Sequence, residues 1–199
     1  MAEGYYYNKE EDMENRIKKK LKVKMVWNLF IILLILQFFI EWFCGLRLLV
    51  FGLSANFIRL ILSSFLLLSP IYFFNYRKYK LLKKICGVLS VICLIPIIFL
   101  YMFGFSGNKY FYFQNPYKNN SRILVAEETS WLLSGSTSFY ERKYGIFIKP
   151  INQSITTDDG YRPFSNDEYK IKWLDEDRMQ LDYGYGSMNI WKTDIISFK

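Results

Sequence analysis

Histidine is absent from all 199 residues of the chain, and that absence removes much of ordinary enzyme chemistry. Ser-His-Asp and Cys-His catalysis, histidine-ligated metals and the side chain that titrates nearest neutrality are all excluded. Cysteine is scarce as well. Cys44, Cys86 and Cys93 all lie in or beside apolar runs, so residues 105–199 cannot be stapled by an internal disulfide. Cys86 and Cys93, seven residues apart, share a helix face, as small packing residues of a membrane helix would. Recognisable loops are missing too. "SGSTS" is not the G-x-S-x-G nucleophile elbow. "YGYGS" follows a strand pattern without opening a helix, which excludes a nucleotide loop.

Charge is abundant but unevenly placed. Residues 1–104 hold 14 Lys/Arg against 6 Asp/Glu and carry the whole net charge of +8, whereas residues 105–199 hold 12 of each. A nucleic-acid binder spreads its basic residues over a folded face. Here they flank apolar segments, which points to topology and to anionic headgroups at the cytoplasmic membrane face, and no nucleic-acid partner is expected.

Three apolar segments stand out. Met25–Phe43, "MVWNLFIILLILQFFIEWF", is free of charge before Glu41, and Ile85–Phe103, "ICGVLSVICLIPIIFLYMF", has none. Each matches one crossing of roughly 20 helical residues. Leu48–Tyr76, interrupted by Arg59, would reach about 43 Å as a helix, so a crossing over 55–75 preceded by an interfacial piece is expected. The crossings are thus placed at 25–43, 55–75 and 85–104. The first apolar run exceeds a signal-peptide core and lacks an Ala-x-Ala-like site, so it is expected to be retained.

Lys9, Arg16, Lys18, Lys19, Lys20, Lys22 and Lys24 precede the first crossing, and "NYRKYKLLKK" separates the second from the third. The link between the first two offers only Arg47 and Arg59. This asymmetry puts the N-terminus in the cytoplasm and residues 105–199 outside, in a cell membrane spanned several times. The tail 1–24 runs from acidic to basic, as suits a juxtamembrane helix with i,i+4 pairs. Glu41 and Arg59, at the ends of adjacent crossings, are candidates for an intramembrane pair near the outer interface.

From Lys109 the apolar period becomes two. Tyr169, Ile171 and Trp173 share one face of "EYKIKWL", and Met179, Leu181 and Tyr183 share one face of "RMQLDY", with Asp175–Asp177 between them. That is the pattern of a β-hairpin. Further strands are expected at Lys109–Phe113, Arg122–Ala126, Trp131–Leu133, Ser138–Lys143, Gly145–Lys149, Met188–Trp191 and Ile195–Phe198. The fold class is therefore a membrane α-helical region of three transmembrane helices plus a small all-β extracytoplasmic domain, an antiparallel sandwich or half-open barrel, over 105–199.

The densest polar chemistry is "TTDDGYRPFSNDEY", Thr156–Tyr169. It lacks the spacing of a calcium-binding EF-hand loop, and Thr-Asp-Asp-Gly is ordinary turn chemistry. Asp158, Asp159, Tyr161 and Arg162 are candidates for contact with an outside ligand or partner. A glycosidase-like use of Asp158 or Asp159 with Asp175 or Glu176 is a weaker alternative.

The segments "EETSWLLSGSTSFYER", "TTDDGYRPFSNDEYKIKWLDED" and "LDYGYGS" resemble parts of small uncharacterised membrane proteins of Gram-positive bacteria, over Arg122–Lys192. Trp173, Asp175 and Asp177 match a closing W-x-D-D-like element before a strand. The resemblance implies N-terminal membrane helices and a short extracytoplasmic β domain, and it implies no activity. No catalytic residue, cofactor or metal is assigned. The expected role is non-enzymatic binding of a protein, a peptide toxin (as an immunity protein would) or an envelope ligand. The alternative is an accessory subunit of a transporter or signalling complex.

Overall fold

The computed structural model describes residues 3–69, 80–104, 107–117, 122–131, 133–186 and 190–198. Packing divides the chain into two compact units, Met1–Phe38 with Arg59–Ile97, and Phe39–Ile58 with Ile98–Lys199.

Three described helices carry the apolar segments: α1, Glu3–Cys44, α2, Ala55–Leu68, and α3, Lys80–Gly104. α1 is unbroken, so the juxtamembrane helix and the first apolar run are one element, with Lys18 bonded to Glu14 one turn away (2.6 Å). Leu21–Cys44 and Lys80–Gly104 are long and apolar enough to cross a membrane, whereas α2 has only 14 residues. Most apolar side chains of these helices are exposed, Ile32, Ile35, Ile92 and Ile95 among them. Within the first unit Phe30 meets Phe65 edge-on at 4.4 Å. The Arg59 guanidinium lies 4.5 Å from the Phe38 ring centroid, and Ser90 donates to the Leu67 carbonyl (2.6 Å).

The second unit is all-antiparallel apart from its helical ends. Its strands are β1, Arg47–Val50; β2, Leu53–Ser54; β3, Lys109–Gln114; β4, Ile123–Trp131; β5, Ser134–Lys143; β6, Phe147–Asp158; β7, Tyr169–Trp173; β8, Arg178–Gly184; and β9, Trp191–Ser197. The first six form one sheet in the order β2-β1-β6-β5-β4-β3, and the last three form a second, β7-β8-β9. Alternation decides what each strand buries. Leu124 and Ala126 of β4, with Phe139 of β5 and Ile155 of β6, face Met179, Leu181 and Ile196 of the second sheet. Val125, Tyr140 and Ile148 point to the opposite face and pack with Leu49.

The expected hairpin is present, with Tyr169 opposite Tyr183, Ile171 opposite Leu181 and Trp173 opposite Met179. Other expectations change. The two strands expected within 122–133 are the single β4, and β6 is twelve residues long. Pro150 and left-handed Asn152 (φ 58°) fall at a register shift between β5 and β6, which broke the sequence pattern of β6. The last two expected strands merge into β9 in part, since 187–189 lie outside the described residues. The piece expected before the second crossing is a β-hairpin. β1 pairs with β6 and turns through Phe51 and Gly52 (φ 50° and 81°) into β2. Positive φ at both central residues is the geometry of a tight two-residue hairpin.

Phe164 is the keystone between the sheets. It is 1% exposed, and its ring lies 4.9–6.5 Å from those of Phe111, Phe113, Phe139 and Tyr169. Phe164→Ala removes the centre of this cluster. An unfolding titration of the purified protein should show a loss of about 3–5 kcal/mol, whereas a loss under about 1 kcal/mol would mean that the site collapses to fill the hole.

Candidate functional site

The polar stretch at Thr156–Tyr169 builds a clasp. β6 ends at Asp158, whose carbonyl accepts the Tyr161 N–H (2.9 Å) across Asp159 and Gly160, both at positive φ. The Asp158 carboxylate accepts the Asp159 N–H (3.1 Å). Thr157 donates to the Tyr161 carbonyl (2.6 Å) and Ser130 to that of Gly160 (3.1 Å). Gly135 leaves the room this needs, since a Cβ there would collide with Thr157 Oγ1 and the Tyr161 carbonyl. The Asp158 N–H donates to the Tyr185 carbonyl (2.8 Å), tying the turn to the segment after β8. The chain then dives inward at Pro163 and Phe164, so the expected exposed connection is exposed only at its rims, Asp158–Asp159 and Asn166–Asp167. Hydrogen bonding to Glu168 pushes the Tyr161 hydroxyl up, and Arg162 lies against Gly107, where a Cβ would stand 2.9 Å from its Nη2.

Two carboxylates that carry no motif do the interior polar work. Glu128, 1% exposed, accepts the Phe164 N–H (2.9 Å) and the Ser165 N–H (3.4 Å) on one oxygen and the Ser165 hydroxyl on the other. Its neighbour Glu127 points to the other sheet face. There one oxygen accepts Asn108 Nδ2 and the Tyr110 hydroxyl, and the other accepts the Tyr140 hydroxyl, each at 2.7 Å. Arg47 Nη1 donates to the Tyr140 oxygen (3.1 Å), and Arg47 Nε to Glu41 (3.1 Å). The end of α1 is thereby wired through β1 to the centre of the large sheet. Glu41 accepts from Arg47 Nε within the second unit, and Arg59 lies over the Phe38 ring within the first.

Asp175 serves its own turn, accepting the Asp177 N–H (2.9 Å) and Arg178 Nε (2.6 Å), and these bonds hold its carboxyl below the usual range. Among the described residues no three Cys, Asp or Glu side chains gather as metal ligands.

The large sheet curls until its opposite edges share one cleft. The β1–β2 turn (Leu49–Gly52) forms one wall, and Asn108–Tyr112 at the start of β3 forms the other. The cleft has a volume of about 600 Å³, and Arg142 and Ile146 close one side. A smaller recess of about 120 Å³ lies beside it, lined by Ser54, Phe57 and Tyr101 among others. Lys109 and Arg142 are the charged residues in the larger lining. Arg142 Nε donates to the Gly145 carbonyl (2.8 Å), with its guanidinium 5.5 Å from the Tyr112 ring centroid. Phe51 projects fully exposed at the hairpin tip.

Burial, reinforced by Glu127, pushes the Tyr110 and Tyr140 hydroxyls well up, and burial with Asp194 does the same for Tyr183. These phenols ionise near 10.0 when unfolded and hold their protons beyond that in the fold. Above pH 10 the unfolded chain therefore binds fewer protons, so stability is whole below that pH and falls as pH rises further. Unfolding titrations from about pH 9 to about pH 11 should show this decline, shallower in Tyr110→Phe and Tyr140→Phe; an equal slope in the variants would refute the assignment.

Comparison with protein-family models, with curated proteins and with solved structures finds no match to this chain.

Proposed function

We propose that this is a multi-pass membrane protein that presents its β unit outside the cytoplasm as a non-enzymatic module binding a protein or peptide. Membrane residence draws on the two long apolar helices and their exposed faces. Orientation draws on the clustering of lysine and arginine in the sequence before the first apolar run, over residues 9–24, and over residues 77–84, against the single Arg47 between the first two apolar segments.

The sheet supports a count of three crossings. β1 and β2 follow α1, β3 follows α3, and all three belong to one sheet, so they lie on one side of the membrane. The chain between Ser54 and Lys109 then crosses an even number of times. α3 is long enough for one crossing, and α2 is assigned to the other in this reading. α2 alone spans about 21 Å, short of the ~30 Å hydrocarbon core. The rest of the crossing expected at 55–75 falls in 70–75, outside the described residues.

The open cleft carries the binding reading. Asp158, Asp175, Glu127 and Glu128 are each engaged in local structural bonds, whereas the seam between sheet edges offers unfilled volume with aromatic and basic walls. The rims of the Asp158–Arg162 turn, held rigid from below, form a second surface available to the same partner.

Topology is tested in a variant with Cys44, Cys86 and Cys93 replaced by serine. Tyr144→Cys, at an exposed turn, should react with a membrane-impermeant maleimide on intact cells, and Lys83→Cys only after lysis. The reverse pattern would overturn the orientation. Equal labelling of both positions on intact cells would overturn the three-crossing count.

A further inference from the structure

We infer that the free edge of β3 is a docking strand, and that its occupant is an extended acidic peptide segment of another polypeptide. The inference rests on the binding role proposed above and assigns it a site and a ligand chemistry.

The hydrogen-bond phase of β3 fixes which groups face outward. The Asn115 N–H donates to the Arg122 carbonyl, and the register then runs Phe113 with Leu124, Phe111 with Ala126 and Lys109 with Glu128. In an antiparallel pair, bonded and non-bonded residues alternate. Tyr110, Tyr112 and Gln114 are therefore the non-bonded residues, and their N–H and C=O groups point away from β4. Among the described residues no strand pairs with that side. The cleft runs along it, with Asn108–Tyr112 as its wall.

The other edges are guarded and this one is open. β2 is two residues long, β7 carries Lys170 and Lys172, and β9 carries Lys192 and Asp194. Short edges and charged side chains are how proteins prevent strand addition. β3, "KYFYFQ", has one charge at its first residue, no proline and no register shift. An added strand gains main-chain bonds at Tyr110 and Tyr112 and places alternate side chains beneath the hairpin tip at Phe51. Six residues of strand span about 20 Å.

Charge selects the occupant. Lys109 and Arg142 line the cleft, and no carboxylate is among the described residues lining it. A ligand strand with aspartate or glutamate complements both. A second copy of this chain, pairing β3 with β3, would bring the same two cations into the cleft.

The test uses the full chain in nanodiscs of neutral lipid, panned against a display library of random octapeptides. Enriched peptides should carry an excess of aspartate and glutamate. Their affinity should fall at least tenfold in the double variant Lys109→Glu/Arg142→Glu. It should fall as far in Tyr112→Pro, which removes an outward N–H and leaves the β3–β4 ladder intact. Hydrogen exchange on the wild type, with an enriched peptide bound, should slow the Tyr110 and Tyr112 amides, and this readout decides the matter if Tyr112→Pro does not fold. Enriched peptides that leave those amides unprotected would overturn this site and leave the binding role standing. No enrichment above empty nanodiscs would overturn both. Two other results would overturn the peptide assignment: binding to phosphatidylglycerol vesicles that disappears in the double variant, and concentration-dependent dimers that protect the same amides.

Discussion

Two backbone pairs, Arg47 with Ile148 and Leu48 with Phe147, tie chain from between two apolar helices into the large sheet. Much else depends on that junction. It brings Leu49 onto the second face of the sheet, where it completes the packing of Val125, Tyr140 and Ile148. It delivers Arg47 to the Tyr140 hydroxyl and so links Glu41 to Glu127. It sets one wall of the cleft. It also means that residues 105–199 do not make up the whole β unit: without Arg47–Ser54, β6 becomes an edge and Leu49 leaves a gap beside Tyr140. In the proposed membrane arrangement the junction also fixes topology, because strands paired in one sheet emerge on one side.

Glu127 and Glu128 show how strand period assigns opposite roles to identical neighbours. One residue apart on β4, they point to opposite faces. Glu128 replaces water for the amides of a loop that plunges into the core, and a buried carboxylate holding several donors organises such a loop. Glu127 gathers two phenols and an amide around the sheet's open face. The oxygens of both are engaged by these donors.

The legible parts of the fold are those where period and burial agree. Ile171, Leu181 and Met179 announce their hairpin because one face is core and the other solvent. The Asp159-Gly160 turn is equally plain, since those residues favour the positive φ that it needs. "RLLVFGLSA" is illegible for a physical reason. Apolar residues occupy both faces of its strands, so alternation vanishes and hydropathy alone merges it with α2. Glu128 looks like any polar strand residue until the Pro163–Phe164 insertion, 36 residues away, gives it amides to hold. The cleft could not be read at all, because its walls, Leu49–Gly52 and Asn108–Tyr112, come together only after the sheet curls.

The seam lies beside a very short link. Between Cys44 and Ala55 the chain has ten residues, 45–54, for two strands and a turn. Ser54 ends β2, and its hydroxyl accepts the Phe57 N–H (3.2 Å), which is the bond of a helix N-cap. A serine in this position favours helix from the next residue, and β2 ends there after two residues, without pairing along β3. The strained, fully exposed Phe51 is the other consequence: so short a link requires a two-residue turn, and the left-handed conformation falls on a bulky residue (φ 50°) where glycine or asparagine would be more stable. That cost is stored at the rim of the cleft, where an apolar ring over an unfilled strand position has a use that it lacks in water.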